Sequence, residues 1–152
     1  MEVNEDDRAN RMVAWYDTYY ADDDLDSGTA MGRRREDVFA LPYAFVQIAM
    51  YEKLWNYLNE SLNTLFDEYE YEDVPQNILP QMIKTIQQFI DEKKYRSRNQ
   101  NEIIKHCYRT QLDGTPLYYA QSTLGEYLDL LDQLCNFLQE AYDKKKDIVV
   151  AL

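Results

Sequence analysis

Apolar residues recur every three or four positions along much of the chain. The longest such run is Leu41 to Tyr71, where Leu41, Phe45, Ile48, Tyr51, Trp55, Leu58, Leu62, Leu65 and Tyr69 share one helical stripe. Its first half is apolar on the other side as well, through Tyr43, Val46, Met50, Leu54 and Tyr57. A helix with two apolar sides needs neighbours on both, so the spacing predicts a long central helix over about 41–71. Pro42 suits its first turn, and Val74-Pro75 closes it.

The remaining segments read as helices around this rod. Arg8 to Tyr20 brings Met12, Trp15, Tyr16 and Tyr19 to one side, and an acidic loop over about 21–37 follows, broken by Ser27-Gly28 and Gly32. Pro80 opens a helix with Met82, Ile83, Ile86, Phe89 and Ile90 on one face, and Lys93 to Arg98 breaks it with a basic turn. Asn101 to Leu112 reads as a further helix, Asp113-Gly114-Thr115-Pro116 as a turn, and Leu117-Tyr118-Tyr119 as the start of another helix. Thr123 and Glu126 have the spacing of a capping box. The last helix carries Leu124, Tyr127, Leu128, Leu131, Leu134, Cys135, Leu138 and Tyr142 within one third of its circumference, and Lys144-Lys145-Lys146 suits its C-terminus. Ile148 to Leu152 is an apolar tail, either tucked back or open to a partner. No strand pair with a hairpin turn is legible. The expectation is an all-α fold, a single helical domain over 1–152 with five or six helices.

Composition fits one domain with a real core: 152 residues, 45% hydrophobic, 14% aromatic, with 14 tyrosines as the main anomaly. Met1 to Asp7 lacks the basic start and apolar run of a signal peptide, and no apolar stretch is long enough for a membrane helix, which points to the cytoplasm and reduced Cys107 and Cys135. The formal charge is −12. It is unevenly spread: residues 1–37 carry eleven acids against five bases, 38–80 seven against one and 113–152 seven against three, whereas 81–112 carry seven bases against three acids. Such a chain repels nucleic-acid and membrane phosphates, so the partner expected is a basic protein, including one that itself binds nucleic acid. The stretch Lys93 to Arg98 either neutralises its own neighbours or forms a second surface.

Chemistry has few candidates. Asp22, Asp24 and Asp26 alternate like the first ligands of a calcium loop, but Ser27 stands where glycine is needed and Arg33 where a bidentate glutamate is needed. His106, Cys107 and Cys135 hold zinc-ligand atoms without a fourth ligand, and both cysteines sit on apolar stripes. No metal or cofactor is expected, and with one histidine and no nucleophile-elbow serine there is no acyl-transfer site. Asp67, Glu70 and Asp73 recur every three residues, as do Glu126, Asp129 and Asp132. This spacing resembles that of the all-α nucleotide pyrophosphohydrolases, which implies a magnesium-dependent hydrolase as an alternative function. Glu126-x-x-Asp129 and Glu70-x-x-Asp73 match that family's Glu-x-x-Asp pair, while its Glu-x-x-Glu element is absent.

Two segments combine acids with tyrosines. One contains Tyr19, Tyr20, Asp22, Asp23, Asp24 and Asp26; the other contains Asp67, Glu68, Glu70, Tyr71, Glu72 and Asp73. Tyrosine anchors amid carboxylates suit a surface that grips Arg/Lys-rich protein, and these twelve residues are the expected partner-binding set. The stretch Asp113 to Tyr119, with its tyrosine pair, is similar to the acidic helical immunity proteins that block colicin nucleases. That resemblance implies a non-enzymatic inhibitor of a nuclease or another nucleic-acid-binding protein. A self-associating helical subunit is the third expectation, and the aromatic excess allows a homodimer.

Overall fold

Two antiparallel sheets with helices packed about them make an α+β fold, which corrects the all-α bundle that the apolar spacing predicts. The computed structural model describes residues 2–3, 11–21, 36–68, 70–96 and 99–152. In chain order these form β1 (Glu2–Val3), β2 (Arg11–Trp15), α1 (Tyr16–Ala21), β3 (Val38–Leu41), α2 (Tyr43–Tyr51), α3 (Leu54–Leu62), β4 (Tyr71–Val74), a 3-10 turn at Gln76–Ile78, α4 (Leu79–Arg96), β5 (Ile103–Thr110), β6 (Pro116–Thr123), α5 (Leu124–Asp143) and β7 (Ile148–Ala151). Among the described residues no helix is long and apolar enough to cross a membrane.

The four-stranded sheet runs β3-β2-β7-β4. Its centre corrects one expectation and decides a second in favour of the tucked-back tail. The first helix is a strand over Arg11–Trp15 followed by only six helical residues, and the apolar tail is the buried inner strand β7. A strand covered on both faces is apolar throughout, so Ile148-Val149-Val150-Ala151 shows no alternation to mark it as extended. By register, Met12 lies opposite Ala151 and Ala151 opposite Tyr71, while Ala14 lies opposite Val149 and Val149 opposite Asp73. These rows form the outer face. Met12, Ala14, Val38 and Ala151 make a small core there, with Tyr19 of α1 packed on it. The inner face gives Val13, Leu41, Val74, Ile148 and Val150 to the main core, where Phe45, Trp55, Met82, Tyr127 and Leu131 are also buried.

The predicted central helix over 41–71 is two helices and a strand. Glu52 N–H closes on the Ile48 carbonyl (2.8 Å) and Lys53 N–H on that of Met50 (3.0 Å), and Lys53 takes a left-handed φ of 64° that ends α2. α3 begins at once and ends at Asn63, also left-handed at φ 55°. The apolar stripe survives the first break, since Phe45, Ile48, Trp55 and Leu58 are all buried, but it fails at Tyr51 and Leu65, which are 53% and 80% exposed.

The second sheet, β1-β6-β5, corrects the predicted helix over 101–112 and the helical reading of Leu117-Tyr118-Tyr119. The turn between them is a hairpin: Gly114 has φ 87°, a conformation glycine adopts without strain, and Thr115 N–H donates to Asp113 Oδ1 (2.9 Å). α4 and α5 pack on each other, and both bury their apolar faces. Thr123 caps α5, its Oγ1 accepting the Glu126 N–H at 3.1 Å.

Candidate protein-binding surface

Because β2 passes directly into α1, the tyrosines of α1 are laid over the outer face of the sheet, beside the edge strand β4. Tyr16 N–H donates to the Asp147 carbonyl (2.8 Å) and the Thr18 hydroxyl to Asp37 Oδ2 (2.9 Å), which fixes the helix there. Tyr16 and Tyr20, one turn apart, have ring centroids 4.7 Å apart, and Tyr19 meets Tyr20 edge-on at 5.2 Å. Tyr71 joins from β4, 6.0 Å from Tyr19 and 6.4 Å from Tyr20. The Tyr20 hydroxyl donates to Asp73 Oδ1 at 2.7 Å. Loss of hydration, and then this bond to a carboxylate, hold the Tyr20 pKa well above the phenol's ordinary value. Tyr16, Tyr20 and Tyr71 remain 41%, 47% and 61% exposed, a large aromatic surface for a charged rim.

Tyr19, Tyr20, Tyr71 and Asp73 from the two acidic segments therefore come together, although Tyr20 and Asp73 are 53 positions apart. The other expected site residues divide. Asp67 and Glu70 are exposed beside β4. Glu68 is turned inward, its Oε1 accepting from Gln47 Nε2 (2.6 Å) and the Tyr43 hydroxyl (3.1 Å). Glu72 is half-buried and accepts the Leu65 N–H at 2.6 Å. Both carboxylates serve the fold. Asp22, Asp23, Asp24 and Asp26 lie outside the described residues, as does most of the predicted acidic loop. Sequence reasoning missed Tyr16 as a surface residue, although its spacing of four from Tyr20 is the signal that would have found it.

The basic middle is largely engaged. Lys93 Nζ pairs with Glu52 at 2.5 Å and Arg96 with Glu92 at 2.7 Å, while Ser97 and Arg98 lie outside the described residues. Lys105 sits 4.1 Å over Tyr119 and Arg109 5.9 Å over Tyr118 on the hairpin. A cleft of about 370 Å³ between α4 and the hairpin is lined by Glu52, Lys93, Arg96, Glu102, Ile104 and Leu124, and the Lys93–Glu52 pair already neutralises part of its wall.

The residues weighed for metals are dispersed. Asp73 lies on strand β4 and Glu70 just before it, after a turn in which its N–H reaches the Asp67 carbonyl, so this pair is not on a helix, and Glu126 and Asp129 belong to α5. His106 stacks on Tyr51 at 4.9 Å, and burial holds its pKa below the ordinary imidazole value. Cys107 donates its S–H to the Arg109 carbonyl (3.1 Å), and Cys135 is buried in α5. Among the described residues no group of three or more His, Cys, Asp or Glu could hold a metal ion. No family model, curated protein or solved structure matches this chain.

Proposed function

We propose that the protein acts by binding rather than by catalysis, its acidic tyrosine surface occupying the basic surface of a partner protein. The use would be that of an immunity or inhibitor protein, with a nuclease or another nucleic-acid-binding protein as the target, and the cytoplasm as the compartment. One observation carries this reading: Tyr19 and Tyr20 of one acidic segment meet Tyr71 and Asp73 of the other in a largely exposed cluster, joined by the Tyr20–Asp73 hydrogen bond. Tyrosine rings offer wide contact area at low entropy cost, and the carboxylates around them steer a cationic partner inward. The formal charge of −12 works in the same direction and against direct nucleic-acid binding. The magnesium-hydrolase reading has less support, because the spacing it rests on presumes helices, whereas Asp73 lies on strand β4 and Glu70 in the turn before it.

The test is to capture partners from the native cell and measure association of the principal one at two salt concentrations. The double variant Asp67→Lys/Glu70→Lys should associate more slowly than wild type and lose much of its salt dependence, since exposed charges act through a field screened over about 8 Å at physiological ionic strength. Glu68 and Glu72 are left intact because they hold the fold. Wild-type rates in the double variant at both salt concentrations would overturn the reading.

A further inference from the structure

β4 is an edge strand, and the register says which of its backbone groups are free. Leu152 N–H donates to the Glu70 carbonyl at 2.9 Å, one bond that continues the β4–β7 register past Tyr71–Ala151 and sets the phase of the ladder at Glu70–Leu152. In an antiparallel ladder hydrogen-bonded pairs alternate, so Glu72–Val150 and Val74–Ile148 are the next two. The intervening residues, Tyr71 and Asp73, direct their N–H and C=O away from β7, toward the outer edge. Among the described residues nothing pairs with these backbone groups. Both residues are exposed, so the edge is open to an incoming chain.

We propose that β4 takes up an arginine-rich extended segment of the partner protein as a fifth, antiparallel strand of the sheet. The inference deepens the binding reading above and rests on it. Two residues of the incoming strand, spaced by two, would face Tyr71 and Asp73 and exchange N–H···O bonds with each. Their side chains fall on the sheet's outer face, beside the Tyr71 and Tyr20 rings and the Asp73 carboxylate, where a guanidinium can stack and pair at once. The residue between them falls on the other face, opposite Glu72 and near Leu65, whose N–H bonds to Glu72 and whose side chain is 80% exposed. A β-branched residue suits that place.

Charge selects the occupant. Carboxylates on a sheet edge ordinarily keep other strands away. Glu70, Glu72 and Asp73 repel the same edge of a second copy, so the protection is selective: it rejects self-pairing through β4 and admits a cationic strand.

The experiment alters the incoming strand and leaves β4 itself intact. The probe is the blocked peptide Arg-Thr-Arg-Val-Arg-Thr-Arg, titrated by fluorescence anisotropy in three forms: unmodified, N-methylated on its arginines, and N-methylated on its Thr and Val residues. Methylating the arginines removes the donors that face β4, whereas methylating the other phase removes donors that point outward. The unmodified and Thr/Val-methylated forms should bind alike, and the arginine-methylated form about tenfold or more weaker, as loss of two net hydrogen bonds implies. Equal binding of both methylated forms, with binding still abolished by Asp67→Lys/Glu70→Lys, would overturn strand addition and leave the acidic surface as the binder. Absence of peptide binding, together with unaltered association of that double variant with its captured partner, would overturn both. A dimer in sedimentation that the peptide fails to dissociate would give the edge to a second copy and likewise overturn the proposal.

Discussion

Asn59 holds Phe66 by both ends of its side-chain amide: Oδ1 accepts the Phe66 N–H at 2.8 Å, and Nδ2 donates to the Phe66 carbonyl at 3.0 Å. The same oxygen accepts the Thr64 hydroxyl at 2.9 Å. This pairing imitates a strand ladder immediately after α3 ends at left-handed Asn63, and it carries the chain out of the helix toward β4 with Phe66 buried against Trp55.

Replacing Asn59 by alanine leaves the Phe66 N–H without its acceptor in a buried setting. An unsatisfied buried donor costs about 1–3 kcal/mol, and Asn59→Ala is expected to lower stability in urea by an amount in that range. Asn59→Asp keeps the acceptor but sets a carboxylate oxygen against the Phe66 carbonyl, so it too should lose stability. A variant as stable as wild type would show that the turn into β4 is held by Phe66 burial alone.

The same turn explains how far the fold could be read from the chain. α4 and α5 are long and polar on one side, so their periodicity was informative, and the Thr123 cap was legible from its partner three residues on. Elsewhere the apolar period misled. The breaks at Lys53 and Asn63 are left-handed residues with no glycine or proline beside them, and Asn59 and its bonds to Phe66 are tertiary facts without a local signature. The run Ile103-Ile104-Lys105-His106-Cys107-Tyr108 is rich in β-branched and aromatic residues, and with the Asp113-Gly114 turn it signals a hairpin; taking that turn as a helix connection hid the second sheet. For the surface, charge and tyrosine content marked both segments. That Glu68 and Glu72 serve the fold depends on Gln47, Tyr43 and Leu65 and could not be read locally.

Tyr127 is fully buried between Phe45 and Phe89, and its hydroxyl has no hydrogen-bond partner among the described residues. Burial accordingly pushes its pKa far up. A buried hydroxyl without a partner costs free energy that phenylalanine does not, so Tyr127→Phe should be at least as stable as wild type, with a gain of about 1 kcal/mol in chemical denaturation. A clear loss of stability would contradict the unpaired hydroxyl.

The two thiols should differ in reactivity. Burial, followed by the nearby charge of Asp132, pushes the Cys135 pKa up to about 12, so almost no thiolate exists there near pH 8. Cys107 lies at partial exposure on the second sheet. Iodoacetamide at pH 8 should therefore label Cys107 and spare Cys135 in the native protein, and label both in denaturant, as read by peptide mass spectrometry. Equal native labelling would contradict the packing of α5.

Tyr20 links the candidate surface to alkaline stability. Its pKa is raised above the ordinary 10.0, first by loss of hydration and then by the bond to Asp73, so the folded state favours the neutral phenol. For a group whose folded pKa is raised, the stabilisation is fully present below the unfolded value and is lost as pH climbs from about 10 through the folded value. Tyr20→Phe cannot ionise and keeps most of the ring packing against Tyr16 and Tyr71. Urea midpoints should thus fall more steeply for wild type than for Tyr20→Phe between pH 9.5 and 11, and run parallel below pH 9. Asp73→Asn removes the carboxylate from beside the hydroxyl and should flatten the wild-type decline part of the way. Parallel profiles for all three proteins throughout the alkaline range would mean that Tyr20 and Asp73 are not joined in solution, and the cluster that brings the two acidic segments together would lose its hydrogen-bonded link.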